Sequence, residues 1–184
     1  DPLLPPRGRR LRAPEGGTGG AGRGLTGIMP SFRNERRVPH SPAAMFDLVA
    51  DIERYPAFVP LCEGLIVRQR INGDDGVETL IADMSIGYKS IREVFTTRVT
   101  LDRPRLRILV EYVEGPFRFL ENRWAFRAAD DPQACIVDFY ISYEFKSRTL
   151  GLVMGAMFDK AFRKFSDAFA ARADALYGTV PATR

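Results

Sequence analysis

Histidine is the side chain most suited to moving a proton near neutral pH, and this chain of 184 residues holds a single one, His40. It lies in Pro39-His40-Ser41-Pro42, where a strand is expected to turn into a helix. A corner is a poor place for a general base, so a solvated or capping role is expected. A Ser-His-Asp arrangement would have to use His40, and a histidine-based metal cluster cannot be assembled. Cys62 and Cys135 are too few and too far apart for a disulfide framework or a zinc site. They read as small core residues of a protein from a reducing compartment. The glycines between Gly16 and Gly27 follow no strand and open no helix, which excludes a phosphate loop or dinucleotide fingerprint there.

What remains is a few polar groups set in apolar patterns. Glu93, Tyr112 and Asn122 fall on the inward phase of strands that are otherwise apolar. Buried polar groups need partners, so these three either satisfy one another or orient the carbonyl oxygens of a ligand; the pattern leaves both open. Glu93 with Tyr112 is the one pair that could serve acid–base chemistry. Asp83 and Ser85 take the opposite phase and are expected to be exposed. No residue is assigned a catalytic role, and none a metal.

The elements that must position these groups are legible from period and punctuation. Leu65–Ile71 and Val77–Ile86 flank Asn72-Gly73-Asp74-Asp75-Gly76, a hairpin signal. Ile91–Leu101, Leu106–Glu114, Phe119–Ala128 and Cys135–Lys146 follow, separated by Asp102-Arg-Pro104, Gly115-Pro116 and Asp130-Asp-Pro132. Each has one apolar face, as with Leu80, Ala82, Met84 and Ile86, so an antiparallel meander is expected. Ahead of it, Ser31–Val38 reads as an edge strand ended by Pro39. Ser41-Pro42 then caps a short helix whose buried stripe is Met45, Phe46, Leu48, Val49 and Ile52. Pro56 and Pro60 are expected to end regular structure, leaving Tyr55–Leu61 as an apolar loop that packs.

The last element is a helix over Thr149–Tyr177, roughly 43 Å long at the usual rise. It opens with the unbroken apolar run Leu150–Phe158 and continues with Ala161, Phe162, Phe165, Ala168 and Phe169 at helical spacing. The run predicts apolar surroundings on both sides. Either it is a fully covered core segment, or it has a cavity on one side and a bilayer surface or second subunit on the other. Strands with a short and a long helix place the chain in the α+β class.

Composition agrees with one domain: 45% of residues are apolar and 13 are Phe. No continuous apolar stretch reaches about 18 residues, so no spanning helix is expected. The net charge is +4, of which residues 1–30 supply +3, leaving the rest nearly neutral. A broad basic face for DNA is not indicated. Residues 1–30 read as a disordered Gly/Pro/Arg-rich extension, with Met29 the expected natural start, 31–178 as the domain, and 179–184 as a tail.

The stretch Met45-Phe-Asp-Leu-Val-Ala-Asp-Ile-Glu-Arg-Tyr-Pro-Ala-Phe-Val-Pro-Leu-Cys62 closely resembles the signature of the ubiquinone-binding START-like proteins, within the polyketide cyclase/dehydrase superfamily. The bacterial ribosome-association toxin proteins carry the same block, and the resemblance covers about residues 30–178. It implies a helix-grip (START/Bet v 1-like) fold: a curved antiparallel sheet of six or seven strands wrapped round the last helix, with a lipid-sized tunnel between them. In that arrangement Phe95, Tyr112, Trp124, Phe139, Ile141, Tyr143, Met154, Met157 and Phe158 would contact the ligand. Tyr55, Phe58, Val59 and Leu61 would form an entrance loop, with Glu93 and Asn122 as polar handles. Periodicity does not distinguish a hollow interior from a solid one.

The function so implied is non-catalytic binding or chaperoning of ubiquinone or a similar prenyl lipid, in support of respiratory electron transport or quinone synthesis, with no cofactor required. The expected location is cytoplasmic, peripheral at the inner membrane, or the matrix side in a eukaryote. The alternative is a ribosome-associating translation inhibitor, with Arg68, Arg70, Lys89, Arg92, Arg98, Arg103, Arg105 and Arg107 as phosphate contacts. A third reading is an aromatase or cyclase. Self-association is left open.

Overall fold

A computed structural model describes residues 30–178. The elements are β1 (Ser31–Val38), α1 (Pro42–Ala50), a 3₁₀ helix (Ile52–Ala57), β2 (Cys62–Asn72), β3 (Val77–Tyr88), β4 (Ile91–Asp102), β5 (Arg107–Glu114), β6 (Phe117–Ala128), β7 (Cys135–Phe145) and α2 (Arg148–Tyr177). The expected extension and tail lie outside the described residues, apart from Pro30.

The seven strands form one antiparallel sheet in the order β1-β7-β6-β5-β4-β3-β2. Short turns set the meander from β2 to β7, and β1 returns to pair with β7, Phe32 opposite Ile141. Register shifts in β2, in β5 beside β4, and at the start of β6 curl the sheet around α2. This is the helix-grip arrangement. Its core is the concave face: Leu80, Ala82 and Ile86 of β3, Phe95, Val99 and Leu101 of β4, Trp124 and Phe126 of β6, and Phe139, Ile141, Tyr143 and Phe145 of β7 are buried. Against them α2 buries Met154, Phe158, Ala161, Phe162, Phe169 and Ala173, a stripe at three- and four-residue steps.

Local chemistry explains the ends. Ser41 Oγ accepts from the Ala44 N–H at 3.2 Å and Pro42 opens α1, whose Met45, Phe46, Leu48 and Val49 are buried. Ser147 caps α2 in the same way, accepting from the Leu150 N–H at 3.2 Å, one residue earlier than the spacing predicts. Leu106 has a positive φ of 51°, so it belongs to the turn and β5 starts at Arg107. Between β5 and β6, Gly115 adopts φ 141°, and a Cβ there would stand 2.6 Å from that of Phe95. Only glycine lets these strands approach so closely.

Three expectations need correction. Pro56 does not end regular structure but sits inside the 3₁₀ helix, where a turn of this length loses at most one hydrogen bond to the missing N–H. The segment after it packs as expected, with Tyr55 and Phe58 edge-on to Phe169 at 5.4 and 5.1 Å. His40 is buried rather than solvated or capping: its Nε2 meets Asp174 Oδ1 at 2.7 Å, and its ring lies against Tyr177. Asp83 is largely covered, with 18% of its side chain exposed. Thr96 Oγ1 and Arg68 Nε each donate to its carboxylate at 2.7 Å. Those two hydrogen bonds, that of Thr96 first, hold its carboxyl below the usual carboxylate range.

Cys62 and Cys135 are buried free thiols, as expected. Burial pushes both up to about 11, which keeps them protonated and unreactive near neutral pH.

Candidate functional site

The backbone of α2 runs close chiefly to β1, β7 and α1. Toward β3, β4 and β5 it stands away from the sheet, and the gap holds a partly open cavity of about 110 Å³. Its floor is the concave face of the sheet, its roof Phe158, Phe162, Phe165 and Phe169 of α2. Its side toward β2 is closed by Tyr55, Val59, Pro60 and Leu61, where Tyr55 Oη donates to the Val49 carbonyl at 2.6 Å and Arg172 stacks over the Phe58 ring at 5.4 Å. Burial drives the Tyr55 hydroxyl well above its ordinary range, so it remains a neutral donor.

Of the residues expected to contact a ligand, Phe95, Trp124, Phe139, Ile141 and Phe158 line this cavity. Four do not. Tyr143 is buried behind it, edge-on to Phe158 and Phe162 at 5.4 and 5.7 Å. Met154 is fully buried elsewhere under α2, and Met157 is only half-buried. Tyr112 rests its ring edge-on against Phe117 at 5.9 Å, and its hydroxyl is buried with no hydrogen-bond partner. Strand phase says that a side chain points inward; it does not say how deep along the strand the hollow lies. In the loop, Tyr55, Val59 and Leu61 border the cavity while Phe58 turns to Phe169 and Arg172.

The polar handles separate. Asn122 lines the cavity but is internally committed: its Nδ2 donates to the Tyr140 carbonyl at 2.9 Å, and its Oδ1 accepts from Trp124 Nε1 at 2.8 Å. It thereby fixes the indole in place. Glu93 is half-buried on β4, opposite Ile86, and does not line the cavity. The Glu93–Tyr112 pair considered for acid–base work is therefore not assembled at the cavity.

Sequence reasoning missed Thr97, Val110, Phe117, Phe162, Phe165 and Phe169 as lining residues. For the three α2 phenylalanines the signal was their shared helical face. For Thr97 it was a hydroxyl between Phe95 and Val99 on the inward phase.

Behind five rings, those of Trp124, Phe139, Phe162, Phe165 and Phe169, lies a second recess of about 20 Å³ bordered by Asn34, Arg36 and Val38 of β1. The same rings line both spaces. Trp124 contacts Phe139 and Phe169 at 4.7 and 4.9 Å between centroids, and Phe162 contacts Phe165 at 5.2 Å.

The apolar start of α2 is not a fully covered core segment. Its inner side, Met154 and Phe158, is buried, while Leu152 is 82% and Val153 47% exposed and Ala156 is exposed beside them. Exposed Lys146, Arg148 and Lys160 flank this patch, and none forms an ion pair among the described residues.

Residues 38–170 match the family described as polyketide cyclase / dehydrase and lipid transport. The ribosome association toxin RatA of Escherichia coli K12 is 30% identical over 150 residues, covering 82% of this chain and 90% of the toxin. The mitochondrial coenzyme Q-binding protein of Drosophila melanogaster is 32% identical over 141 residues, which are 75% of this chain and 56% of that protein. The solution structure of an 18 kDa protein from Caulobacter crescentus superposes with a TM-score of 0.68 at 34% identity, covering 82% of this chain and 100% of that one.

Proposed function

The chain belongs to the polyketide cyclase / dehydrase and lipid transport family, and from that premise we propose that it shields a prenyl lipid of the ubiquinone type without transforming it. The observation that carries this reading is the hollow between the sheet and α2, walled by aromatic and aliphatic side chains with few polar groups. An apolar cavity of about 150 Å³ accepts a benzene ring. The hollow here, about 110 Å³ and partly open, takes part of an apolar ligand, the remainder leaving through the open side. Each CH₂ withdrawn from water contributes about 0.8 kcal/mol, so retention needs no covalent chemistry. The coenzyme Q-binding relative supports this choice of ligand.

Such a lipid is loaded from a bilayer. No helix among the described residues is long and apolar enough to cross one; the contact in this reading is peripheral, at the cytoplasmic or matrix face of the inner membrane. Leu152, Val153 and Ala156 present the apolar surface, and Lys146, Arg148 and Lys160 face anionic headgroups, at about 1 kcal/mol for each cation near the surface. Organic extraction of the purified protein followed by mass spectrometry is expected to release a prenylated quinone. Empty protein that takes up no added quinone would overturn the reading.

A second reading, a ribosome-associating inhibitor, is favoured by the 30% identity to a ribosome association toxin over 82% of the chain. Of the eight basic residues considered for it, Arg68, Arg70, Arg92, Arg98, Arg103 and Arg105 form ion pairs with acidic neighbours. Lys89 and Arg107 form none among the described residues. Salt-sensitive co-sedimentation with the large ribosomal subunit would support it, and sedimentation unchanged by excess protein would dismiss it.

A further inference from the structure

We infer that Thr97 is the specificity-determining group of the cavity, selecting a ligand with a carbonyl or hydroxyl oxygen on a hydrocarbon body. This deepens the lipid-binding reading and rests on it. Thr97 is 5% exposed and lines the cavity in the middle of β4, between Phe95 and Val99 on the same face. Its hydroxyl makes no hydrogen bond among the described residues. Valine would fill the same space without a hydroxyl, so the oxygen is not needed for packing.

The other polar groups of the lining are already engaged: Asn122 by Trp124 and Tyr140, and the Tyr55 hydroxyl by the Val49 carbonyl. Thr97 therefore stands uncommitted on a wall that is otherwise hydrocarbon. A ligand carbonyl accepts from its hydroxyl, and a ligand hydroxyl donates to it or accepts from it. A pure hydrocarbon fits the wall but leaves that hydroxyl unpaired.

The test uses the full chain and two matched probes, decylubiquinone and decylbenzene, measured by displacement of a bound fluorescent dye. Thr97→Val is expected to weaken decylubiquinone about tenfold, the loss of one good hydrogen bond, and to leave decylbenzene unchanged or tighter. Thr97→Ser, which keeps the hydroxyl, retains decylubiquinone binding. Because valine is nearly isosteric, thermal melting of Thr97→Val should match that of the parent. Equal weakening of both probes, or of neither, overturns the assignment while leaving the lipid-binding reading intact. Parent protein that takes up neither probe overturns both.

Discussion

His40 and Asp174 meet at 2.7 Å across 134 residues, joining the β1–α1 corner to the last turn of α2. Tyr177 reinforces the join, with its ring on His40 and its hydroxyl donating to the Ala44 carbonyl at 3.1 Å. His40→Ala removes the buried member of the pair. Stability is expected to fall by about 1–2 kcal/mol, and amide exchange should quicken first around Asp174–Tyr177. Unchanged exchange there would show that packing alone holds the helix end.

Gly155 and Phe158 stand three residues apart in α2 with opposite surroundings. A Cβ on Gly155 would meet nothing within 4 Å, so Gly155→Ala is expected to raise stability by about 0.5–1 kcal/mol through helix propensity. Phe158 stacks on Phe145 and Phe117 at 5.4 and 6.1 Å. Phe158→Asp is therefore expected to damage folding as severely as ligand uptake, not ligand uptake alone. Thermal melts of both variants decide this; a well-folded Phe158→Asp would refute it.

Leu152 contributes almost nothing to the core, being 82% exposed. Leu152→Asp should change stability by no more than about 0.5 kcal/mol, while weakening flotation with vesicles of anionic phospholipid about tenfold. Equal flotation of parent and variant would remove the patch as a bilayer contact. Parent protein that dimerises through it would assign the patch to a second copy.

Asp83 links the outer face of the sheet to acid stability. Its folded carboxyl titrates below the ordinary value of 3.8, chiefly through the hydrogen bond from Thr96. A lowered folded pKa contributes stability above the unfolded pKa and loses it as pH falls through the folded one. Asp83→Asn and Thr96→Val should each flatten the fall in urea midpoint below about pH 4. Parallel pH profiles for parent and variants would contradict this.

Much of the fold was legible because its two periods are clean. Phe95, Val99 and Leu101 mark β4 as half-buried, and Gly178 and Ser147 bracket α2 to within a residue of its expected ends. Sequence spacing could not show that His40 would find a partner 134 residues away, because only the closed topology brings them together. Nor could it place Tyr143 and Met154 outside the cavity, since phase carries no depth. The start of β6 at Phe117 rather than Phe119 follows from a bulge, where one extra residue breaks the alternation. Thr97 was overlooked because a β-branched residue fits a strand so well that its hydroxyl draws no notice.

The five rings between the larger hollow and the recess beside β1 have one more implication. If Trp124, Phe139 or the α2 phenylalanines swing aside, the two spaces become a single bore with a doorway at each end. A sleeve open at both ends grips whatever segment happens to be inside it. Cargo with few or many isoprene units could then be carried equally well, the surplus trailing outside.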